Sequence, residues 1–187
     1  MTYGFQLAHD PNPPRSFTAP RTFALLAALS SPALAIDWTL CPGINDPVAE
    51  GATEPRYEGF FSPYTHHWSH DPEHKPVFAF SLSRLLPNDR TCGISLFRNS
   101  FGQPSAYAFV GKAWPGLLPS QPKVYVSVTA GILYGYVGQY KDKVPMNVGG
   151  FSPAIIPAVG YQLSPRSALE VQILGTAAFM VGAKWRF

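Results

Sequence analysis

The chain ends in Phe179-Met-Val-Gly-Ala-Lys-Trp-Arg-Phe187. A strand sends successive side chains to opposite faces, so Phe179, Val181, Ala183, Trp185 and Phe187 share one face and Met180, Gly182, Lys184 and Arg186 share the other. An apolar face closing on aromatics suits lipid and its interface, and a face with two cations suits a polar lumen. A soluble edge strand can carry the same dyad repeat, so the rest of the chain has to decide.

Composition agrees with a membrane barrel. Of 187 residues, 46% are hydrophobic, 14% aromatic and only 13% charged, which is more aromatic and less charged than a typical soluble domain. Mean hydropathy is near zero, and no apolar run approaches the roughly 20 residues a spanning helix needs, so a bundle of membrane helices is excluded. Barrels hide their hydrophobicity in alternation and score as neutral. A net charge of +3, spread along the chain, gives no footing for nucleic acid.

Upstream, Arg15 and Arg21 precede the apolar run from Phe23 to Leu29, and Ser30-Ser-Pro-Ala-Leu-Ala35 supplies small residues at the cleavage spacing. Residues 1–35 therefore read as a secretory signal peptide, with Ile36 as the first mature residue and a Pro/Gly-rich lead-in over 36–56. The stretch before Arg21 is long for a signal peptide's basic head, which points to a start downstream of Met1. Cys41 and Cys92 both lie in the exported part, where an oxidising compartment permits pairing; two buried free thiols are the other reading.

Strand-like segments then recur between turn signals, over Tyr57 to His67, Pro76 to Leu85, Cys92 to Ser100, Pro104 to Trp114, Lys123 to Tyr136, Phe151 to Gln162, Ser167 to Leu174 and Thr176 to Phe187. This predicts an all-β fold: an eight-stranded antiparallel transmembrane barrel over 57–187, the smallest membrane barrel, in the bacterial outer membrane with both termini periplasmic. The clearest alternation sets Val124, Val126, Val128, Ala130, Ile132 and Tyr134 against Tyr125, Ser127, Thr129, Gly131 and Leu133. Glu170 falls on a lumen face, where a lone charge is costly, and Lys184 or Arg186 on the next strand is its expected partner. Topology puts Cys41 and Cys92 on the periplasmic side, and His67 and Ser100 together at the opposite rim.

Two groups of residues there carry chemistry. Thr65-His-His-Trp-Ser-His-Asp-Pro-Glu-His74 holds four of the chain's five histidines, but neither a helical His pair with a Glu base nor a cysteine framework accompanies them. The stretch reads as a solvated polar loop, with no metal. A Ser-His pair is different: acyl transfer needs an imidazole to take the proton of an attacking hydroxyl and a further polar group to hold the imidazole, and Asn99 or Asp71 is placed to be that group.

At these residues the chain resembles the lipid A palmitoyltransferase (PagP) family, eight-stranded outer-membrane barrels that move a palmitoyl chain from a phospholipid to lipid A. Tyr57 through Thr65-His-His67 is similar to the family's first strand, where Thr-x-His supplies the catalytic histidine; Phe80-Ser-Leu-Ser-Arg84 is similar to its Phe-Gly-Leu-Ser-Arg, and Phe97-Arg-Asn-Ser100 to its Phe-Lys-Asp-Ser. Thr129-Ala-Gly131 and Ile156-Pro-Ala-Val-Gly-Tyr161 continue the likeness in order. The resemblance implies a cofactor-free, monomeric acyltransferase with a phospholipid donor and a lipid A acceptor. Its catalytic residues are His67 and Ser100, with Asn99 where the family has Asp. It also implies that Pro63 and Pro157 open the wall to lipid, because a proline removes a ladder donor, and that Phe109 stands where a family Gly floors the acyl pocket. The Pro/Gly-rich lead-in departs from the family's N-terminal helix. Asn in place of Asp cannot neutralise an imidazolium. That keeps two alternatives in play, a Ser-His lipid esterase and a non-catalytic barrel that binds lipid or passes small apolar solutes.

Overall fold

A computed structural model describes residues 41, 55–69 and 72–187. The expected signal peptide, nearly all of the lead-in, His70 and Asp71 lie outside the described residues.

Eight strands form: β1 Tyr57–His67, β2 Ala79–Leu86, β3 Arg90–Arg98, β4 Pro104–Pro115, β5 Val124–Tyr134, β6 Phe151–Ser164, β7 Ser167–Leu174 and β8 Ala178–Arg186. Each pairs antiparallel with the next, and β8 pairs with β1, so the sheet closes as a barrel without an edge. β1 and β7 have the bounds read from sequence, and the other strands differ at one or both ends by one to three residues. Residues 76–78, headed by a proline, stay outside β2; β3 stops at Arg98, so that Ser100 sits in a turn; and a 3₁₀ turn over Gly138–Lys143 fills the connection after β5. We call the end where β1 begins and β8 finishes the lower rim and the other end the upper rim.

Alternation sorts the side chains as expected. Along β5, Tyr125 and Ser127 are buried inside while Ala130, Ile132 and Tyr134 are exposed outside. Large apolar residues such as Leu96, Ile132 and Val159 are exposed on the outer wall, and Ile155 is 70% exposed, the inverse of a soluble protein and the surface a bilayer requires. Inside, Phe60, Val77, Ala79 and Met180 form an apolar cluster against Phe97 and Leu174.

Near the lower rim the lumen is ionic. Lys184 Nζ lies 3.0 Å from Glu58 Oε1 and 2.7 Å from Glu170 Oε2, and Arg186 Nε donates to Glu58 Oε2 at 2.9 Å. Tyr125 Oη donates to Glu170 Oε2 at 3.0 Å, and Gln172 Nε2 to Oε1 at 2.9 Å. Two carboxylates and two cations thus neutralise one another, with hydroxyl and amide groups filling remaining acceptor sites, as buried charge requires. Lys184 is the partner the sequence offered for Glu170, whereas Arg186 belongs to Glu58.

Two irregularities shape the upper half. Against β8, Phe61 pairs with Ala183 and Tyr64 with Val181, three steps on β1 for two on β8, so one extra residue bulges at Ser62-Pro63. Ser62, fully buried, holds the bulge by donating from Oγ to the carbonyls of Val181 at 2.7 Å and Tyr64 at 3.0 Å. Above it, face parity reverses. Secondly, the ladder is incomplete at two seams: β1 pairs with β2 only up to Ser62↔Ala79, and β6 with β7 only from Ala158↔Gln172 toward the lower rim. The upper parts of β1, 63–67, and of β6, 151–157, have no partner on those sides, and Pro63, Pro153 and Pro157 bring no N–H to them.

Cys92 shares the outward parity of Ile94 and Leu96, yet it is only 2% exposed, because it is disulfide-bonded to Cys41 with a Cα–Cα distance of 5.4 Å. The bridge closes a loop with a sequence separation of 51, and chain-entropy reasoning puts its stabilisation at up to about 4 kcal/mol. Cys92→Ser is accordingly expected to lower the midpoint of urea unfolding from lipid vesicles. An unchanged midpoint would show that the unfolded chain gains nothing from release.

Candidate functional site

The bulge decides which histidine enters the barrel. Strict alternation from Glu58 and Phe60 would point His66 inward; the extra residue instead turns Thr65 and His67 to the lumen and puts His66 outside. There His66 meets Tyr64, Trp68 and Phe179, with Tyr64 Oη within 3.2 Å of its Nδ1 and the rings of Trp68 and Phe179 at 5.9 and 5.1 Å, a cluster suited to a membrane interface.

His67 Nε2 and Ser100 Oγ share a hydrogen bond of 2.6 Å. With a neutral imidazole carrying its proton on Nδ1, the hydroxyl donates, which is the arrangement of a base with its nucleophile. His74 lies against the His67 ring at 4.2 Å between centroids, and its other side meets Phe101 edge-on at 5.7 Å. The sequence placed His67 and Ser100 at one rim, and the structure brings them into contact.

Asn99 does not hold the imidazole. Its side chain is buried in its own turn: Oδ1 accepts the backbone N–H of Phe101 and of Gln103, both at 3.0 Å, and Nδ2 donates to Gln103 Oε1 at 3.2 Å. The role expected from its position beside Ser100 is thus corrected, because a short side chain followed by a tight turn bonds the backbone it precedes. Among the described residues no group hydrogen-bonds Nδ1 of His67, and Asp71 lies outside them.

Gln103 extends the brace. Its Oε1 also accepts the N–H of Val137 and its Nε2 donates to the Val137 carbonyl, each at 3.1 Å, tying the Ser100 turn to the loop after β5. That loop carries Tyr136, which lines the lumen cavity together with Ser100. Burial pushes its phenol above the ordinary range, so it stays protonated. Sequence reading missed Gln103, in the Ser100 turn itself, and Tyr136, which the loop after β5 brings in; no local motif marks either.

Beneath the pair lies a cavity of about 800 Å³, within the range of small-molecule sites and lined mainly by apolar side chains, among them Phe60, Phe97, Tyr107, Ile156 and Met180. Phe109 lines it too, as its parity with Ser105 and Tyr107 allowed. Its partners on both neighbouring strands are glycines, Gly93 and Gly131, and its ring stacks on Tyr107 at 5.2 Å. Thr65 Oγ1 is a buried hydroxyl on this wall without a partner among the described residues. Pro63 and Pro157 are exposed on the outer wall, in the two unpaired stretches, and do not line the cavity themselves. Among the described residues no group of three His, Cys, Asp or Glu is placed to hold a metal ion.

No family model matches the sequence, and no curated protein matches it. Among solved structures, the chain is similar to a de novo designed transmembrane β-barrel, with a TM-score of 0.51 and 11% identity over 73% of this chain and 98% of that one. It is also similar to the outer-membrane protein Ail of Yersinia pestis, with a TM-score of 0.40 and 12% identity over 72% of this chain and all of that one. At such identity the first likeness is one of fold, a closed antiparallel β-barrel of the transmembrane kind.

Proposed function

We propose that this protein is an outer-membrane acyltransferase that moves an acyl chain from a phospholipid to lipid A or a similar lipid acceptor. One observation carries the reading: a Ser-His pair bonded at 2.6 Å stands at the mouth of an apolar cavity, in a wall whose ladder is incomplete on two sides. A lipid enters sideways through an unpaired seam, its acyl chain lies in the cavity, and its ester reaches the upper rim.

In the reaction Ser100 Oγ attacks the ester carbonyl and its proton passes to His67 Nε2. The lysophospholipid alkoxide leaves with that proton, and the acyl chain remains on Ser100. The acceptor hydroxyl then attacks the acyl-serine, gives its proton to His67, and Ser100 Oγ recovers it as the product departs. The unbonded Thr65 hydroxyl supports a ligand with a polar group at this level, because such an atom otherwise stays unsatisfied.

Comparing lipid A from cells with and without the protein by mass spectrometry tests the proposal. One added acyl chain is the expected result; a lost chain would make it an esterase, and no change would make it a binding or transport barrel. Chain selection is a second expected outcome. Phe109 lines the cavity between Gly93 and Gly131, and each methylene denied burial forfeits about 0.8 kcal/mol. The wild type should therefore prefer a donor chain shorter than palmitoyl, and Phe109→Gly should shift the preference to longer chains, read across phospholipids of graded length. Identical donor profiles would remove Phe109 as the floor.

A further inference from the structure

The connection between β1 and β2 is tied to the Ser100 turn just after His74. Lys75 N–H donates to the Ser100 carbonyl at 2.7 Å, and the Lys75 stem lies over Gly102, where a Cβ would stand 3.0 Å from its Cδ. At φ +79° Gly102 also supplies the left-handed residue of that turn. Fixed in this way, His74 faces His67, with ring centroids 4.2 Å apart and planes tilted by 34°. Its other neighbour is Phe101, met edge-on at 5.7 Å. The His74 ring is thus wedged between the imidazole bonded to Ser100 and the residue that follows Ser100 in the chain.

Phe101 is a firm backstop for that wedge. It is only 7% exposed, and its N–H donates to Asn99 Oδ1 at 3.0 Å. Tyr140 stacks on its ring at 4.3 Å, Tyr136 meets it edge-on at 6.2 Å, and Lys143 Nζ stands 5.1 Å from its centre. Moving His74 away from His67 means displacing a ring already packed on its other sides, which a dense interior resists. Asn99 therefore reaches the imidazole only at second hand, through Phe101 and then His74.

We propose that His74 is a positioning residue of this site: its ring, backed by Phe101, holds the His67 imidazole in the plane that keeps Nε2 on Ser100 Oγ. The inference rests on the acyl-transfer reading and adds to it the group that orients the base. An imidazole turns about its Cβ–Cγ bond in a broad well, so a bond at Nε2 alone leaves its tilt loosely set. In a Ser-His-Asp site a carboxylate on Nδ1 removes that freedom, and here a ring against the imidazole's face does so. His74 takes no part in the proton transfer, which runs only between Ser100, His67 and the two alcohols. The contact calls for a flat ring, not for ring nitrogens, and a misplacement of about 1 Å at a reacting group can cost about 10²-fold in rate.

The test follows acyl transfer from phosphatidylcholine in mixed micelles to lipid A for the wild type, Ser100→Ala, His74→Ala and His74→Phe, with rates taken per closed barrel as counted on unboiled SDS gels. His74→Ala is expected to lower kcat by about 10–10²-fold with KM unchanged, and His74→Phe, which keeps a flat ring, to return it to within a few-fold of the wild type. Turnover abolished by Ser100→Ala but intact in His74→Ala would overturn this inference alone. So would His74→Phe as slow as His74→Ala, which would assign the role to the ring nitrogens, or a rise in KM at unchanged kcat, which would make His74 a binding contact. Wild-type turnover no faster than that of Ser100→Ala would overturn the acyl-transfer reading and this inference with it.

Discussion

His67→Ala and Ser100→Ala are each expected to reduce acyl transfer on the order of 10⁴-fold, and the double variant no further. The two groups share one bond, Nε2 to Oγ at 2.6 Å, and in the proposed reaction serve one proton transfer, so removing either leaves the other with nothing to do. The remaining rate reflects binding in the cavity and whatever donors still face the ester. His66→Ala is the matched control, one residue away yet on the outer wall among Tyr64, Trp68 and Phe179, and it should change turnover by a few-fold at most. The measurement is initial rate on protein whose SDS gel shift with boiling shows a closed barrel. Full turnover by Ser100→Ala would remove the serine from the mechanism, and additive losses would mean that the pair does not act as a unit.

Lys184→Met is expected to cost about 3–5 kcal/mol of folding stability, read as urea unfolding from lipid vesicles. The side chain lies between Glu170, 2% exposed, and Glu58, and contacts both. Removing it leaves Glu170 with hydroxyl and amide donors but no cation, whereas Glu58 keeps Arg186. Adding Glu170→Gln to Lys184→Met should recover part of the loss, because a neutral amide costs less to bury than a carboxylate without its ammonium; the double-mutant cycle isolates that coupling. Arg186→Met should cost less than Lys184→Met, since Arg186 is half-exposed and Lys184 stays on Glu58. If Lys184→Met unfolds at the wild-type midpoint, the ionic group contributes specificity or assembly rather than stability.

The strands were legible because a barrel wall imposes one rule, period two, on every residue between its rims, and β5, β7 and β8 obey it without exception. In β1 the same rule names the wrong histidine: counted from Glu58 it turns His66 inward, and only the extra residue at Ser62-Pro63 corrects it. A proline inside a strand hints at such a place but does not say how many residues are gained. The Ser-His pair was legible from topology and from the family resemblance. Glu58 and Gln103 were not, since their partners lie far away in the chain, at Lys184 and Val137. Asn99 shows the reverse error, a residue next to Ser100 whose own bonds go to Phe101 and Gln103.

The seams left open beside β1 and β6 make the barrel two materials in one tube. In the lower half every strand is bonded to both neighbours and the lumen is cross-linked by charge, so widening the wall there means breaking several hydrogen bonds at once. In the upper half no ladder pairing spans either seam among the described residues, though the His67–Ser100 bond ties the end of β1 to the turn after β3. Thermal breathing therefore concentrates at the upper end, in segments that open far below the free energy of global unfolding. In the proposed reaction a lipid would part the wall there, using fluctuations the protein already makes.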